Sequence, residues 1–169
     1  MTIAFITLGC KLNFAETATY ERGFREAGLE VVPWREKADI YLINTCTVTE
    51  ASNKKSRGEI RKVHRINPDA CIIVAGCYAQ MRPDEVRAIP GVTRVFLASE
   101  KQLVVPETLQ MCNSAGWVTA PTDSDIFRAY STSERTRAFL KVQDGCDNFC
   151  RYCTVPYARG RSRSVRICE

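Results

Sequence analysis

Short apolar runs alternate with longer polar or amphipathic segments along the first part of the chain. The apolar runs are rich in β-branched residues, which is typical of buried strands, and the segments between them have the length of helices. Strands are predicted at 2–8, 30–33, 39–44, 71–75 and 92–97. Because strands and helices alternate, we predict an α/β fold, with an N-terminal, mostly parallel, Rossmann-like sheet and flanking helices.

Helix signals lie between the predicted strands. Asn13 followed by Glu16 has the spacing of a capping box, so the first helix is predicted to begin there and to stop at Gly28. A basic helix with few large apolar side chains is predicted at 49–65 and should pack along one narrow edge. Pro83 is predicted in the first turn of a further helix.

The periodic pattern is lost beyond residue 110. We predict an N-terminal domain at 1–110, a linker at 111–135 rich in Ser, Thr, Asp and Pro, and a new unit at 136–169. The new unit opens with an apolar run at 138–143 that has strand character and leads directly into a group of cysteines.

Composition and charge narrow the class of protein. The apolar share of 45% is that of a globular protein, and no run approaches the roughly 18 apolar residues of a membrane span. The N-terminal apolar run has neither a basic segment before it nor a cleavage site after it, so we expect a core strand and a cytoplasmic protein. The net charge of +5 is compatible with a polyanionic partner.

Cysteines carry the chemical signal. There are nine, an odd number, and the expected compartment is reducing, which favours metal ligation over disulfides. Cys146, Cys150 and Cys153 lie on one Gly-led loop, separated by three and then two residues. Thiolates are the ligands of iron–sulfur clusters, and this spacing lets one loop hold one face of a four-iron cluster. Three ligands would leave one iron open to bind another molecule.

Zinc is the main alternative for this loop. A structural zinc site needs four protein ligands, and the only histidine, His64, lies in a different predicted element. A catalytic zinc could use three ligands, but this spacing is not one of its familiar arrangements. Three structural thiols on one loop are the remaining alternative, which the close spacing disfavours.

A second set of three cysteines follows the ends of predicted strands. Cys10, Cys46 and Cys77 are separated by 36 and 31 residues, each about one strand–helix–strand unit. The carboxyl ends of parallel strands share one edge of the sheet, where open α/β sheets bind ligands. We therefore expect these thiols to converge, assisted by glycines at 9 and 76 that permit close approach. Any one of them alone could be a buried structural thiol.

The other cysteines are excluded from this set or left without a role. Cys71 starts the strand that Cys77 follows, which places the two about 20 Å apart. Cys112, in the predicted linker, and Cys168, near the end of the chain, have no partner that the sequence identifies.

Both sets resemble one family. Cys146, Cys150 and Cys153 resemble the signature of radical S-adenosylmethionine enzymes, and the wider stretch FLKVQDGCDNFCRYCTVPYARGRSRS is similar to the methylthiotransferases among them. TLGCKLNFAE, INTCTVTEAS and VAGCYAQ resemble the three cysteine motifs of the N-terminal domain of that family. The resemblance implies two [4Fe-4S] clusters. Cys10, Cys46 and Cys77 would hold an auxiliary cluster, and Cys146, Cys150 and Cys153 the catalytic one, which binds S-adenosyl-L-methionine.

The resemblance also implies a substrate and partners. The residues around the second set are most similar to the enzymes that convert N6-threonylcarbamoyladenosine-37 of tRNA to its 2-methylthio derivative. The isopentenyladenosine-37 enzymes and those that modify a ribosomal protein remain alternatives. Implied partners are the tRNA anticodon stem-loop and a reductant such as flavodoxin or ferredoxin, with no membrane and a monomeric chain. Basic residues at 159, 161 and 163, interleaved with Tyr152 and Tyr157, could meet phosphate and bases.

The chain ends sixteen residues after Cys153, whereas the radical S-adenosylmethionine domain is a large partial (βα) barrel. We therefore expect the unit at 136–169 to be the start of a truncated barrel, and the chain to be a fragment that is inactive alone. Two other interpretations stay open. One is a non-catalytic iron–sulfur module for electron transfer or sensing, and the other is a zinc-dependent RNA-binding module.

Overall fold

The computed structural model describes residues 1–112, 126–131 and 138–165. Strands and helices alternate through the first range and become short in the other two. The strands are β1 Thr2–Thr7, β2 Glu30–Val31, β3 Ile40–Thr45, β4 Cys71–Gly76, β5 Val92–Val95, β6 Tyr130–Ser131, β7 Phe139–Leu140, β8 Gln143–Asp144 and β9 Arg163–Ser164. The helices are α1 Lys11–Glu26, α2 Glu50–Ile66, α3 Cys77–Met81, α4 Pro83–Arg87, α5 Val104–Met111 and α6 Val155–Arg159, with a 3-10 helix at Ala98–Leu103.

Five parallel strands form the main sheet in the order β2-β1-β3-β4-β5. β3 lies at the centre, paired with β1 on one side and β4 on the other. Its residues are all buried, as expected for a strand covered on both faces. This confirms the predicted α/β fold with a parallel sheet and flanking helices.

Two apolar cores cover the two faces of the sheet. Alternate residues of β3 point to opposite sides, so Tyr41 and Ile43 join one core and Ile40 and Leu42 the other. The first core contains side chains of α2, α3 and α4, and the second contains side chains of α1 and α5. The domain is therefore a three-layer α/β/α sandwich.

The first helix does not begin as predicted. It starts at Lys11 with Cys10 in the N-cap position, so the proposed capping box of Asn13 and Glu16 is wrong. Both side chains are instead 1% exposed and make long-range contacts. The helix does end before Gly28, whose φ of +84° is the left-handed conformation typical of a glycine after a helix.

Small antiparallel pairs replace the single strand predicted at 138–143. β7 pairs with β6, whereas β8 pairs with β9. Between them the backbone N–H of Lys141 donates to the carbonyl of Ala129, and the Lys141 side chain is fully buried. β6 also contacts α1 through Tyr130, whose carbonyl accepts from Arg22. The residues described at 126–131 thus pack on the first domain, and the domain bounds given above stay a prediction.

Within the described ranges, every helix is too short or too polar to cross a bilayer.

Replacing Gly76 by Ala tests the close contact between β3 and β4. The residue has φ +99°, and an added Cβ would lie 2.5 Å from Asn44 Oδ1 and 2.6 Å from the Thr45 nitrogen. Because both the backbone and its neighbours must move, we expect Gly76→Ala to lower the free energy of unfolding by about 2 kcal/mol or more. Chemical denaturation measures the change.

Gly58→Ala is the matched control, because it lies inside α2 with no heavy atom within 4 Å of the added Cβ. It should leave stability unchanged or raise it by about 0.5–1 kcal/mol. Equal losses in the two variants would contradict the contact described here.

Candidate functional site

The strand register brings the first cysteine set, Cys10, Cys46 and Cys77, to one edge of the sheet. Thr7 of β1 lies opposite Asn44 of β3, and Thr45 of β3 lies opposite Gly76 of β4. Cys46 and Cys77 directly follow the second of these pairs, and Cys10 follows β1 after a short turn. Three parallel strands therefore deliver the three thiols to the same edge.

Side-chain contacts show how closely the three cysteines approach one another. A Cβ built on Gly9, the residue before Cys10, would lie only 3.1 Å from the sulfur of Cys46. The sulfurs of Cys10 and Cys77 each lie 3.5 Å from the same nitrogen of Arg159, so they cannot be separated by more than twice that distance. All three cysteines thus surround one small region at the strand ends.

Asn13 ties this region together. Its amide nitrogen donates to the carbonyls of Leu8 and Thr45, the residues at the ends of β1 and β3, at 2.8 and 3.0 Å. Its Oδ1 accepts from the thiol of Cys10 at 3.7 Å and from Arg159 at 3.0 Å. The side chain predicted to cap a helix instead joins two strand ends to the cysteine set.

The thiols of Cys10 and Cys77 differ in their electrostatics. Burial would raise the pKa of Cys10, but the first backbone N–H groups of α1 and the charge of Arg159 outweigh it and lower that pKa. Cys10 occupies the N-cap position of α1, although its thiol makes no capping hydrogen bond there. Cys77 is more deeply placed, so burial prevails over Arg159 and raises its pKa. Cys10 is consequently the thiol most readily ionised of these two.

The second cysteine set, Cys146, Cys150 and Cys153, lies on a loop whose two ends are joined. β8 and β9 pair at its base, and the Cys146 N–H donates to the Gly160 carbonyl at 3.2 Å. A turn closes its tip, where the Cys153 N–H donates to the Cys150 carbonyl at 2.9 Å. Phe149, before Cys150, has φ +44°, unusual for a residue with a side chain. The loop therefore holds these thiols partly or fully exposed.

A short helix connects the two cysteine sets. α6 begins at Val155, two residues after Cys153, packs against α3 and ends at Arg159. Since α3 begins at Cys77, and Arg159 contacts Cys10 and Cys77, the helix reaches from one set to the other. Five helical residues span about 8 Å. The two sets are thus held on the same side of the molecule.

A cluster of buried charges lies beside the first set. Glu16 accepts from Lys101 at 2.7 Å and from Lys141 at 3.0 Å. Lys141 also pairs with Asp144 at 2.6 Å, and Asp144 lies 3.8 Å from Arg159. Neither these carboxylates nor these ammonium groups are more than 8% exposed. The ion pairs of this cluster hold the segment before the second set against α1 and the 3-10 helix. Sequence analysis did not predict this role, because the paired residues lie far apart in the chain.

The chemistry of the first set fits a thiolate-bound group of net negative charge. In the parts of the chain that the structure describes, no three side chains are arranged around one point as metal ligands. The thiols nevertheless share one edge, and the positive group of Arg159 stands between two of them. At Gly9 and Gly76 any side chain would collide with the neighbouring strand end. Three thiolates and no carboxylate suit an iron–sulfur cluster better than a hard cation.

The remaining cysteines and the histidine lie elsewhere. Cys71 starts β4, as predicted, and a hydrogen bond joins its thiol to that of Cys112. Burial, reinforced by Cys71, raises the pKa of Cys112 to about 12. Cys112 therefore has the partner that the sequence could not identify, while Cys168 lies outside the described residues. His64 packs on Gly91 in the last turn of α2, about 20 Å along that helix from its start, which disfavours it as a zinc ligand for either set.

Comparison with known proteins gives the family. The model of the uncharacterized protein family UPF0004 matches residues 2–98. The chain belongs to this family. The matched range contains all of the first cysteine set and ends before the second, so UPF0004 corresponds to the sheet domain described above.

Similar proteins extend over both sets. The chain is 43% identical to the threonylcarbamoyladenosine tRNA methylthiotransferase MtaB of Bacillus subtilis, over 96% of this chain and 38% of that protein. It is 39% identical to MtaB of Aquifex aeolicus, over 99% of this chain and 42% of that protein. It is 32% identical to the tRNA-2-methylthio-N(6)-dimethylallyladenosine synthase of Wolbachia pipientis wMel, over 96% of this chain and 39% of that protein. The chain thus spans about two fifths of the length of these relatives.

Glu16→Gln tests the buried charge cluster. The change leaves Lys101 and Lys141 without one of their two carboxylates, so we expect a loss of about 3–5 kcal/mol in the free energy of unfolding at neutral pH. Burial would raise the pKa of Glu16, but the two lysines outweigh it and hold that pKa below its usual value of 4.5. The contribution is therefore complete above pH 4.5 and is lost as the pH falls through the folded-state pKa.

Denaturation of both proteins across a pH series measures this difference, which should shrink on acidification. Glu21→Gln, which breaks a partly exposed pair with Arg25, should cost no more than about 0.5 kcal/mol. A pH-independent loss, or a loss as large for the control, would refute the account of the cluster.

Proposed function

We propose that this chain is the N-terminal part of a tRNA methylthiotransferase that converts N6-threonylcarbamoyladenosine-37 to its 2-methylthio derivative by radical S-adenosylmethionine chemistry. The observation that carries the proposal is the juxtaposition of two cysteine sets, one gathered at the sheet edge and one on a closed loop, connected by α6. Sulfur insertion at an unreactive carbon needs both a radical generator and a sulfur donor, and two clusters side by side suit these two tasks.

The first set would hold an auxiliary [4Fe-4S] cluster. Cys10, Cys46 and Cys77 supply three thiolates, and Asn13 and Arg159 order those of Cys10 and Cys77. Three protein ligands leave one iron open, which suits a cluster that carries a further sulfur atom.

The second set would hold the catalytic [4Fe-4S] cluster. Cys146, Cys150 and Cys153 present their thiols from an ordered loop, in keeping with a cluster that must be reached by S-adenosylmethionine and by an electron donor. When bound there, a reduced four-iron cluster supplies the electron that cleaves S-adenosylmethionine. The chain's own contribution is to fix the loop through β8, β9 and the Gly160 carbonyl.

The surface around the second set supports an RNA partner. Tyr152 is 90% exposed and Tyr157 is 64% exposed, so both rings present surface on which bases could stack, although the Tyr157 ring also packs edge to face with Phe149 at 6.0 Å. The exposed guanidinium of Arg161 lies 5.3 Å from the ring of Phe149 and adds positive charge to this surface. Arg159 must be removed from the predicted phosphate contacts, because its side chain is 10% exposed and turns toward the first cysteine set.

The relatives support the choice of modified adenosine. Two of the relatives named for threonylcarbamoyladenosine are 43% and 39% identical to the chain, against 32% for the dimethylallyladenosine synthase of Wolbachia pipientis wMel. The proposed substrate is accordingly the threonylcarbamoyl nucleoside, with the anticodon stem-loop of tRNA as partner and a flavodoxin or ferredoxin as reductant.

Nucleoside analysis of tRNA tests the function. The longest natural protein that carries this chain is expressed in a bacterium lacking its own enzymes for both 2-methylthio nucleosides, and digested tRNA is examined by mass spectrometry. We expect 2-methylthio-N6-threonylcarbamoyladenosine to appear and Cys77→Ala to abolish it, because the auxiliary cluster loses a ligand.

Cys71→Ala is the matched control, since this thiol lies at the opposite end of β4, and product should form at the parental level. Appearance of the isopentenyl derivative instead would reassign the substrate. Iron and sulfide in the purified protein without either nucleoside would favour the non-catalytic module and overturn the proposed activity.

A further inference from the structure

Arg159 joins the two cysteine sets through one buried side chain. Its Nη2 lies 3.5 Å from the sulfurs of both Cys10 and Cys77 and donates to Asn13 Oδ1 at 3.0 Å. Its Nη1 lies 3.8 Å from Asp144. A planar guanidinium can serve several acceptors at fixed angles, which a lysine ammonium on a flexible stem cannot do as well.

The charges around Arg159 leave its own charge available to the sulfurs. The neighbouring cluster contains two carboxylates, Glu16 and Asp144, and two ammonium groups, those of Lys101 and Lys141. These four charges balance, so the guanidinium adds one net positive charge to the buried group. The acceptors it faces on the other side are the two thiols and the neutral amide of Asn13.

The position of Arg159 in the chain gives this contact a second consequence. It is the last residue of α6, which starts two residues after Cys153, and its contacts are to residues that follow β1 and β4. A helix of five residues therefore connects the second cysteine loop to the side chain that contacts the first set.

From this geometry we infer that Arg159 is a positioning residue for the first cysteine set, reaching across from the second unit to neutralise and orient the thiolates of Cys10 and Cys77. The inference rests on the proposed function, in that the thiolates are those of an auxiliary cluster. A hydrogen-bonded cation beside the sulfurs stabilises the reduced cluster, which carries one more negative charge than the oxidised one. Arg159 therefore raises the reduction potential of that cluster.

The test is a redox titration of one cluster at a time. Cys150→Ala is introduced into the chain so that only the first set can hold a complete cluster, and the protein is reconstituted anaerobically with iron and sulfide. Iron and sulfide content, the visible spectrum and the electron paramagnetic resonance of the reduced form are then compared with and without Arg159→Gln.

In the Arg159→Gln variant, we expect the ratio of reduced to oxidised cluster at a fixed potential to fall about tenfold, as for the loss of one charge-assisted hydrogen bond. This corresponds to about 59 mV for one electron.

Two further variants make the result specific. Arg161→Gln removes the same charge from a side chain that is 77% exposed, and its titration should match the parent. Arg159→Lys keeps the charge without the planar fork, so its potential should lie between those of the parent and Arg159→Gln. If Arg159→Gln retains no cluster, the Lys variant must still hold one, with a potential below that of the parent.

The outcomes separate this inference from the proposed function. A parent that binds no iron at the first set overturns the proposed function, and the inference with it. If the parent binds the cluster, but both Arg159 variants have the same reduction potential as Arg161→Gln, the inference alone is overturned. The spectroscopic readout needs no turnover, so it does not depend on parts of the enzyme beyond this chain.

Discussion

The parallel pairing of β1, β3 and β4 is the constraint on which the rest of this structure depends. Because these strands run in one direction and end in register, the residues that follow them are neighbours in space although they are far apart in sequence. Close approach requires glycine at Gly9 and Gly76, where a Cβ would strike the adjacent strand end. Asn13 then bonds the carbonyls at two of these ends. The backbone topology thus brings three thiols, which are soft metal ligands, together at the carboxyl ends of the strands.

The second cysteine loop depends on a different interaction. The short strands β8 and β9 are too small to be stable by themselves, and their attachment includes the packing of α6 on α3 and the ion pairs that join Lys141 and Asp144 to Glu16 and Lys101. Burying charge is costly unless every group is paired, so these side chains fix the second cysteine loop in one position relative to the sheet. The same arrangement aims Arg159 at the first set. The same buried charges therefore determine both where the second cysteine loop lies and where the Arg159 side chain points.

Much of this could be predicted from the sequence. β-branched runs located the five strands of the main sheet, and thiols after three of them predicted a common edge, because both features follow from local pattern and parallel topology. The roles of Asn13 and Glu16 could not be predicted, since their spacing also fits a helix cap and only the tertiary partners decide between the two. Arg159 lies in a basic stretch that resembles an RNA contact, and its inward direction depends on how α6 packs. The contact between Cys71 and Cys112 could not be predicted either, because no sequence pattern links the two elements that carry them.

The central claim is that Cys10, Cys46 and Cys77 together hold an iron–sulfur cluster at the carboxyl edge of the sheet. Crystals of anaerobically reconstituted protein, with diffraction recorded on both sides of the iron absorption edge, test it most directly. The account predicts a compact anomalous peak of iron bonded to all three sulfurs, with a second peak on the loop of Cys146, Cys150 and Cys153. Iron confined to that loop, or a zinc signal at the sheet edge, would contradict it.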